Sequence, residues 1–145
     1  MILIEKVSTL VFTGTIVQNN RQLITQIGII ELGKEIRLNE IFAPEGTNVD
    51  FVQMLDTNTI SMRTYERGVE DETLACGTGS VACAIISSIV KGILPPINVK
   101  TRGGEILTIN FTQLGDLFHK VTLQGSAKII YRGELIYSDA EKRIY

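Results

Sequence analysis

The chain has 145 residues, 44% hydrophobic and 21% charged, which suits one domain with an ordinary core and excludes a disordered composition. Net charge is −2, from 14 basic and 16 acidic residues in an even mixture, so no basic face for nucleic acid is expected. The longest apolar-rich stretch, Val81 to Val90, is too short to span a bilayer, and the opening MILIEKVSTLVF lacks the marks of a signal peptide, so a cytoplasmic protein without membrane partners is expected.

In chain order, alternation of apolar and polar residues predicts strands at Leu3–Val7, Thr9–Val17 and Gln22–Ile30. A short helical turn over Glu35–Asn39 comes next, then strands at Val49–Leu55 and Thr59–Tyr65. One strong helix follows, from about Gly77 to Lys91. Thr78 and Ser80 can cap its start, Gly92 can supply a left-handed stop, and Pro95–Pro96 forbid continuation. Further strands are predicted at Ile97–Thr101, Glu105–Phe111, His119–Leu123, Ala127–Tyr131 and Glu134–Tyr137. Turn signals stand at Arg102–Glu105, Leu114–Asp116 and Arg132–Glu134.

No repeat or linker divides the chain, so residues 1–145 read as a single domain. The helix carries Val81, Ala82, Cys83, Ala84, Ile85, Ile86, Ile89 and Val90 around its axis, which predicts burial on nearly every side. The expected fold is α+β, a curled mixed or antiparallel sheet wrapped around one central buried helix.

The stretch TLACGTGS, Thr73 to Ser80, sets a thiol at the mouth of that helix. The first turn of a helix presents unpaired N–H groups and a partial positive charge, and glycines at 77 and 79 let a ligand approach the backbone. Such a mouth favours a carboxylate, and it favours thiolate over thiol, so Cys76 is expected to ionise more easily than an ordinary cysteine. Glu66 and Arg67 end the preceding strand, where Arg67 can clamp a carboxylate and Glu66 can accept from an ammonium group. Asn48, in EGTNVDF, offers an amide that both donates and accepts. Each of these features also has a plain structural reading: an inert core cysteine, a solvated Glu-Arg pair, a tight glycine turn.

Cys76 and Cys83 lie about 10 Å apart along one helix, beyond disulfide reach. Neither has a metal-ligand neighbour and the single histidine, His119, is remote in sequence, so no metal is indicated. Cys83, within the apolar helix, is expected only to pack.

Taken in order, PEGTNVDFVQ (Pro44–Gln53), RTYERGVEDETLACGTGS (Arg63–Ser80), TRGGEILTI (Thr101–Ile109) and LQGSAKIIYRGEL (Leu123–Leu135) resemble the C-terminal half of diaminopimelate epimerase, over residues 43–137. The resemblance implies a proline-racemase-like, cofactor-independent amino-acid epimerase built of two pseudo-symmetric halves. In that scheme one thiolate removes the α-proton and an opposing thiol reprotonates the other face, converting LL- to meso-diaminopimelate for lysine and peptidoglycan synthesis. It implies Cys76 as one catalytic thiol, Gly77 and Thr78 as donors to the α-carboxylate, and Glu66, Arg67 and Asn48 as holders of the substrate's polar ends. The second cysteine, in a Cys-Gly-Asn-Gly context, belongs to the family's N-terminal half. Its place would be taken by a partner chain carrying that half or by a second copy of this chain.

Two local departures accompany the resemblance. TGTIVQNN (Thr13–Asn20) stands where the family has Gly-Asn-Pro-His, and VEDET makes the Arg67–Cys76 spacing one residue longer. Two other readings follow from them: a binding domain of the same fold without turnover, and a racemase for another amino acid.

Overall fold

The computed structural model describes residues 9–13, as backbone, and 28–144. The expected strand over Leu3–Val7 and the Thr13–Asn20 motif beyond its first residue lie outside them, as do parts of the strands expected at Thr9–Val17 and Gln22–Ile30.

Chain order among the described residues begins with β1 (Thr9–Thr13), α1 (Ile29–Arg37) and a 3-10 turn (Glu40–Phe42). Next come β2 (Asn48–Met54), β3 (Thr59–Glu66), β4 (Asp71–Thr73) and α2 (Gly77–Lys91). The rest is β5 (Ile97–Lys100), β6 (Ile106–Leu114), β7 (Leu117–Gln124) and a small β8–β9 pair (Tyr137–Ser138 and Arg143–Ile144). Seven strands form one mixed sheet in the order β1-β2-β3-β5-β6-β7, with β4 also paired to β3. The β1–β2 and β3–β5 pairs are parallel and the others antiparallel. A parallel pair needs a crossover, and α2 supplies it between β3 and β5. The sheet curls round that helix, which touches β1, β2, β3, β5, β6 and β7. This is the expected α+β architecture.

Alternation along the strands divides the core between two faces. Val52, Ile60, Met62, Ile97, Val99, Ile109 and Phe111 join Val81, Cys83 and Ala84 of α2 on one face. Val49, Phe51 and Tyr65 join Ile29 of α1 on the other. The helix α1 replaces what sequence alternation presented as strand at Ile29–Ile30 and as a short turn at Glu35–Asn39. Its buried positions are Ile29 and Gly33, and Ile36 packs beside them, a helical spacing interrupted by a glycine that resembles a breaker. That glycine is a packing device: a Cβ there would stand 2.5 Å from Tyr65 Cβ.

The helix α2 spans the expected residues and stops at Gly92, whose φ of 70° is the left-handed conformation foreseen for it. Its burial differs from expectation at the last turn, where Ile89 and Val90 are 56% and 52% exposed. The small residues Ser80, Cys83, Ala84 and Ser87 are buried instead, and Ile85 and Ile86 are half-buried. Small side chains let the helix backbone approach the sheet closely; Ile85 packs against the edge of that core, while Ile89 and Val90 face outward.

The turns at Arg102–Glu105 and Leu114–Asp116 join β5 to β6 and β6 to β7 as expected. The strand expected over Ala127–Tyr131 does not form, and of Glu134–Tyr137 only Tyr137 enters a strand. Ile129, Ile130, Tyr131, Leu135 and Ile136 are exposed, and no described strand pairs with them. Without a ladder, β-prone residues alone do not hold a strand.

Candidate active site

The mouth of α2 gathers pieces of four separated stretches of sequence. Asn48 opens β2 and Glu66 closes β3, and antiparallel pairing of Val49 with Tyr65 brings both to the same end of the sheet. Cys76 stands over that end as the N-cap of α2, with extended φ −132° and ψ 113°. Gly103, in the β5–β6 turn, donates its N–H to the Leu74 carbonyl at 2.8 Å and anchors the approach to Cys76. Leu123 of β7 lies 3.7 Å from where a Cβ on Gly77 would be.

Cys76 caps the helix itself, which corrects the expectation that Thr78 or Ser80 would do so. Its Sγ accepts from the Gly79 N–H at 3.4 Å and lies 3.5 Å from Thr78 Oγ1. Ser80 Oγ turns back instead and donates to the Cys76 carbonyl at 2.8 Å. Gly77 and Thr78 are exposed at the mouth, while the Cys76 side chain is only 6% exposed.

The thiol is harder to ionise than an ordinary cysteine, contrary to the expectation from the helix terminus alone. Burial is the largest cause, and the hydrogen bonds from Thr78 and Gly79 oppose it; the negative charges of Asp50 and Glu66 add to the upward push. A helix N-terminus favours thiolate, but here two carboxylates share the same mouth.

Asn48 Oδ1 accepts from the Arg67 backbone N–H at 2.8 Å, so this amide closes the turn that leads from β3 into β4. Glu66 is half-buried and paired in register with Asp71; Arg67 begins the Arg67–Glu70 turn with its side chain exposed. Gly68 at φ 90° and Glu70 at φ 60° give that turn its shape, and across it Thr64, Tyr65 and Glu66 pair with Thr73, Glu72 and Asp71.

Cys83 is fully buried in the core, with its ionisation strongly suppressed by burial, and it is not bridged to Cys76. It packs, as expected. Among the described residues no group of three or more His, Cys, Asp or Glu side chains could hold a metal ion. No helix there is long and apolar enough to cross a membrane.

One polar pair at this end was not singled out from the sequence. Asp50, 0% exposed, accepts from Thr64 Oγ1 at 2.6 Å, and its other carboxyl oxygen has no hydrogen-bond partner among the described residues. Burial raises its pKa from 3.8 to about 6; the Thr64 hydrogen bond works against this and the charge of Glu66 with it. The available signal was its register. In the run NVDFVQ, Asp50 shares the face of Val52, which points into the core.

Comparison with known proteins agrees with this assembly of motifs. A family-wide sequence profile described as diaminopimelate epimerase matches residues 13–130. A diaminopimelate epimerase of Aquifex aeolicus is 52% identical over 114 residues, covering 77% of this chain and 39% of that protein. One from Chlorobaculum tepidum is 41% identical over 111 residues, covering 76% and 42% respectively. One from Archaeoglobus fulgidus is 52% identical over 85 residues, covering 59% and 29%. The chain thus spans about two fifths of the length of the first relatives it matches. Within that span the profile takes in Asn48, Glu66, Arg67, Cys76, Gly77 and Thr78, and the chain belongs to the diaminopimelate epimerase family.

Proposed function

We propose that this chain is one lobe of a cofactor-independent epimerase that inverts an α-carbon of diaminopimelate, with Cys76 as the proton-transferring group on one face. The observation that carries this reading is the Cys76 sulfur at the N-cap of α2, within reach of the Gly79 amide and the Thr78 hydroxyl. Exposed Gly77 and Thr78 beside it are suited to donate to an α-carboxylate, the anion that a helix N-terminus favours. Glu66 at the same sheet end suits the α-ammonium, and the exposed Arg67 with the Asn48 amino group suits the more distant polar end.

An α-proton is a poor acid, so the carbanion must be stabilised by donors in a site shielded from water. The resistance of Cys76 to ionisation supports a first role as proton donor. A thiolate on the opposite face takes the α-proton and becomes a thiol; Cys76 gives its own proton to the carbanion and becomes a thiolate. The carbon is inverted, and the reverse direction exchanges the two roles. Cys83 is unsuited to be the second thiol, being sealed in the core below the mouth. The second sulfur would come from a partner carrying the family's other half or, less simply, from a second copy of the chain. Leu74 and Leu123, exposed apolar side chains on either side of the mouth, are suited to being covered by such a body.

Exchange of the diaminopimelate α-proton with deuterated solvent tests the reading, with the chain alone and mixed with the N-terminal half of the Aquifex aeolicus relative. Exchange that disappears in Cys76→Ala supports it. No exchange under either condition defeats the catalytic claim, and exchange that survives Cys76→Ala removes the assignment of the thiol. The resistance of Cys76 to ionisation favours one second reading, a lobe that binds the amino acid without turnover. Calorimetric binding without exchange would select it.

A further inference from the structure

Asp50 has no direct access to a substrate, yet it touches the machinery that holds the thiol. Gly79 is the third residue of α2, and a Cβ on it would stand 2.8 and 2.9 Å from the two Asp50 carboxyl oxygens. The carboxyl therefore fills the space of the missing side chain. From the same residue, the Gly79 N–H points to Cys76 Sγ. The first turn of α2 contains no acidic residue of its own, so Asp50, reaching across from β2, is the anion that meets the positive end of this helix.

The other groups around the sulfur are few. Glu66 at the end of β3 is the second acid acting on it, and Cys83 is the only other ionisable group on α2 before Lys91. Thr9–Thr13 of β1 and Ile106–Leu114 of β6 contain no ionisable side chain. Lys100 of β5, Asp71 of β4 and His119 and Lys120 of β7 are exposed, and Glu72 of β4 is held by Arg63 through two hydrogen bonds of 2.6 Å.

We propose that Asp50 is the positioning residue of this thiol: its carboxyl seats the first turn of α2 and sets how readily Cys76 gives up its proton. The charged carboxylate competes with a thiolate for the same helix terminus, and its protonation releases the terminus to the sulfur. Cys76 and Asp50 thus titrate as a coupled pair. This deepens the epimerase reading, and only its consequence for turnover rests on that reading.

The test needs neither substrate nor turnover. The rate of Cys76 alkylation by iodoacetamide is followed from pH 5 to 10 in the full chain, with the modified sulfur located by fragmentation of the tryptic peptide 68–91, which contains both cysteines. Thiolate is the reacting form. In the native chain the logarithm of the rate should rise with pH, flatten just above the Asp50 titration at about 6, and rise again. In Asp50→Asn the flattening should vanish, and the rate above pH 7 should be roughly three- to tenfold higher. A folded Asp50→Asn chain, checked by circular dichroism, with an unchanged profile overturns the proposal. Should that variant fail to fold, the native profile decides: flattening supports the coupling and an unbroken unit slope overturns it. Failure of isotope exchange, by contrast, would remove the epimerase reading and leave this result standing.

Discussion

Cys76 and Cys83 lie seven positions apart on the same helix and show how little a residue type says without its surroundings. Cys83 packs among the apolar side chains of the core, and the residue is 0% exposed. Around Cys76 the backbone stops being helical, three hydrogen-bonding groups face the sulfur or its carbonyl, and two carboxylates lie close by. Both thiols resist ionisation, and burial is the largest cause for each. At Cys83 the charges of Asp50 and Cys76 add to it; at Cys76 the hydrogen bonds from Thr78 and Gly79 oppose it while Asp50 and Glu66 add to it. Of the two, Cys76 is the one at the helix mouth, beside exposed Gly77 and Thr78.

The largest expected effect separates the two sulfurs directly. Cys76→Ala should lower α-proton exchange by roughly 10²- to 10⁴-fold, the usual contribution of a positioned acid or base. Cys83→Ala should leave exchange within a few-fold and instead lower stability by about 1–2 kcal/mol through a small cavity. Exchange rates and urea denaturation on the same two variants measure this. Equal effects on both quantities would erase the distinction.

A comparable energy is at stake in the acid beneath the mouth. Folded Asp50 keeps its proton to about pH 6, while the unfolded residue loses it near 3.8. Between those values the folded chain binds more protons, so this group lowers stability as pH rises through that window. The penalty is complete above about pH 6 and absent below the unfolded value, and it amounts to roughly 3 kcal/mol. Asp50→Asn keeps the acceptor for Thr64 and cannot ionise. It should therefore be more stable than the native chain at pH 8, with the difference closing by pH 4. Urea denaturation at the two pH values reads this, and a difference that does not change with pH would contradict the buried charge.

Gly79→Ala tests the other half of the same contact. A helix interior ordinarily gains about 1 kcal/mol from this change. Here the added carbon meets a carboxyl that is fixed on a buried strand, and overpacking costs roughly 1–3 kcal/mol. A net loss of stability is expected, and it should turn into a gain when Asp50→Ser makes room. A cycle of the two single variants and the double variant, by thermal or urea unfolding, measures that coupling.

The elements near the mouth were legible in the sequence because several local signals agreed there. Alternation in Val49–Leu55 and Thr59–Tyr65, the Gly92 stop and the two hairpin turns all describe the structure within a residue or two. The errors arose where one signal stood alone. The helix over Ile29–Arg37 looks from sequence like a strand end and a short turn, because the glycine in its apolar spacing is explained only by Tyr65, distant in sequence, which closely approaches Gly33. The Ala127–Tyr131 segment is rich in strand-forming residues, but a strand is a property of a pair. The same limit applied to the site. Cys76, Glu66 and Asn48 could be picked out from motifs, but the ease of ionising Cys76 could not, because it depends on Asp50 coming from another strand. Asp50 itself was visible only as an acid in a core-facing register.

The smallest effect concerns Asn48, which joins the two ends of the site through the backbone. Its Oδ1 holds the Arg67 N–H, so Asn48→Ala should lower stability by about 1 kcal/mol and loosen the turn carrying Arg67. Asn48→Asp retains an acceptor for that N–H and should restore the turn. It also removes the amino group and adds a third carboxylate near Glu66 and Asp50, which would hold Cys76 protonated to still higher pH. Stability and thiol reactivity should therefore part company between the two variants. Ala weakens the fold with little change in the alkylation profile, while Asp keeps the fold and slows alkylation. Urea denaturation and the alkylation rate of each variant decide it. If both quantities instead fall together in both variants, Asn48 is structural alone, and the mouth of α2 is tuned from β2 through Asp50 only.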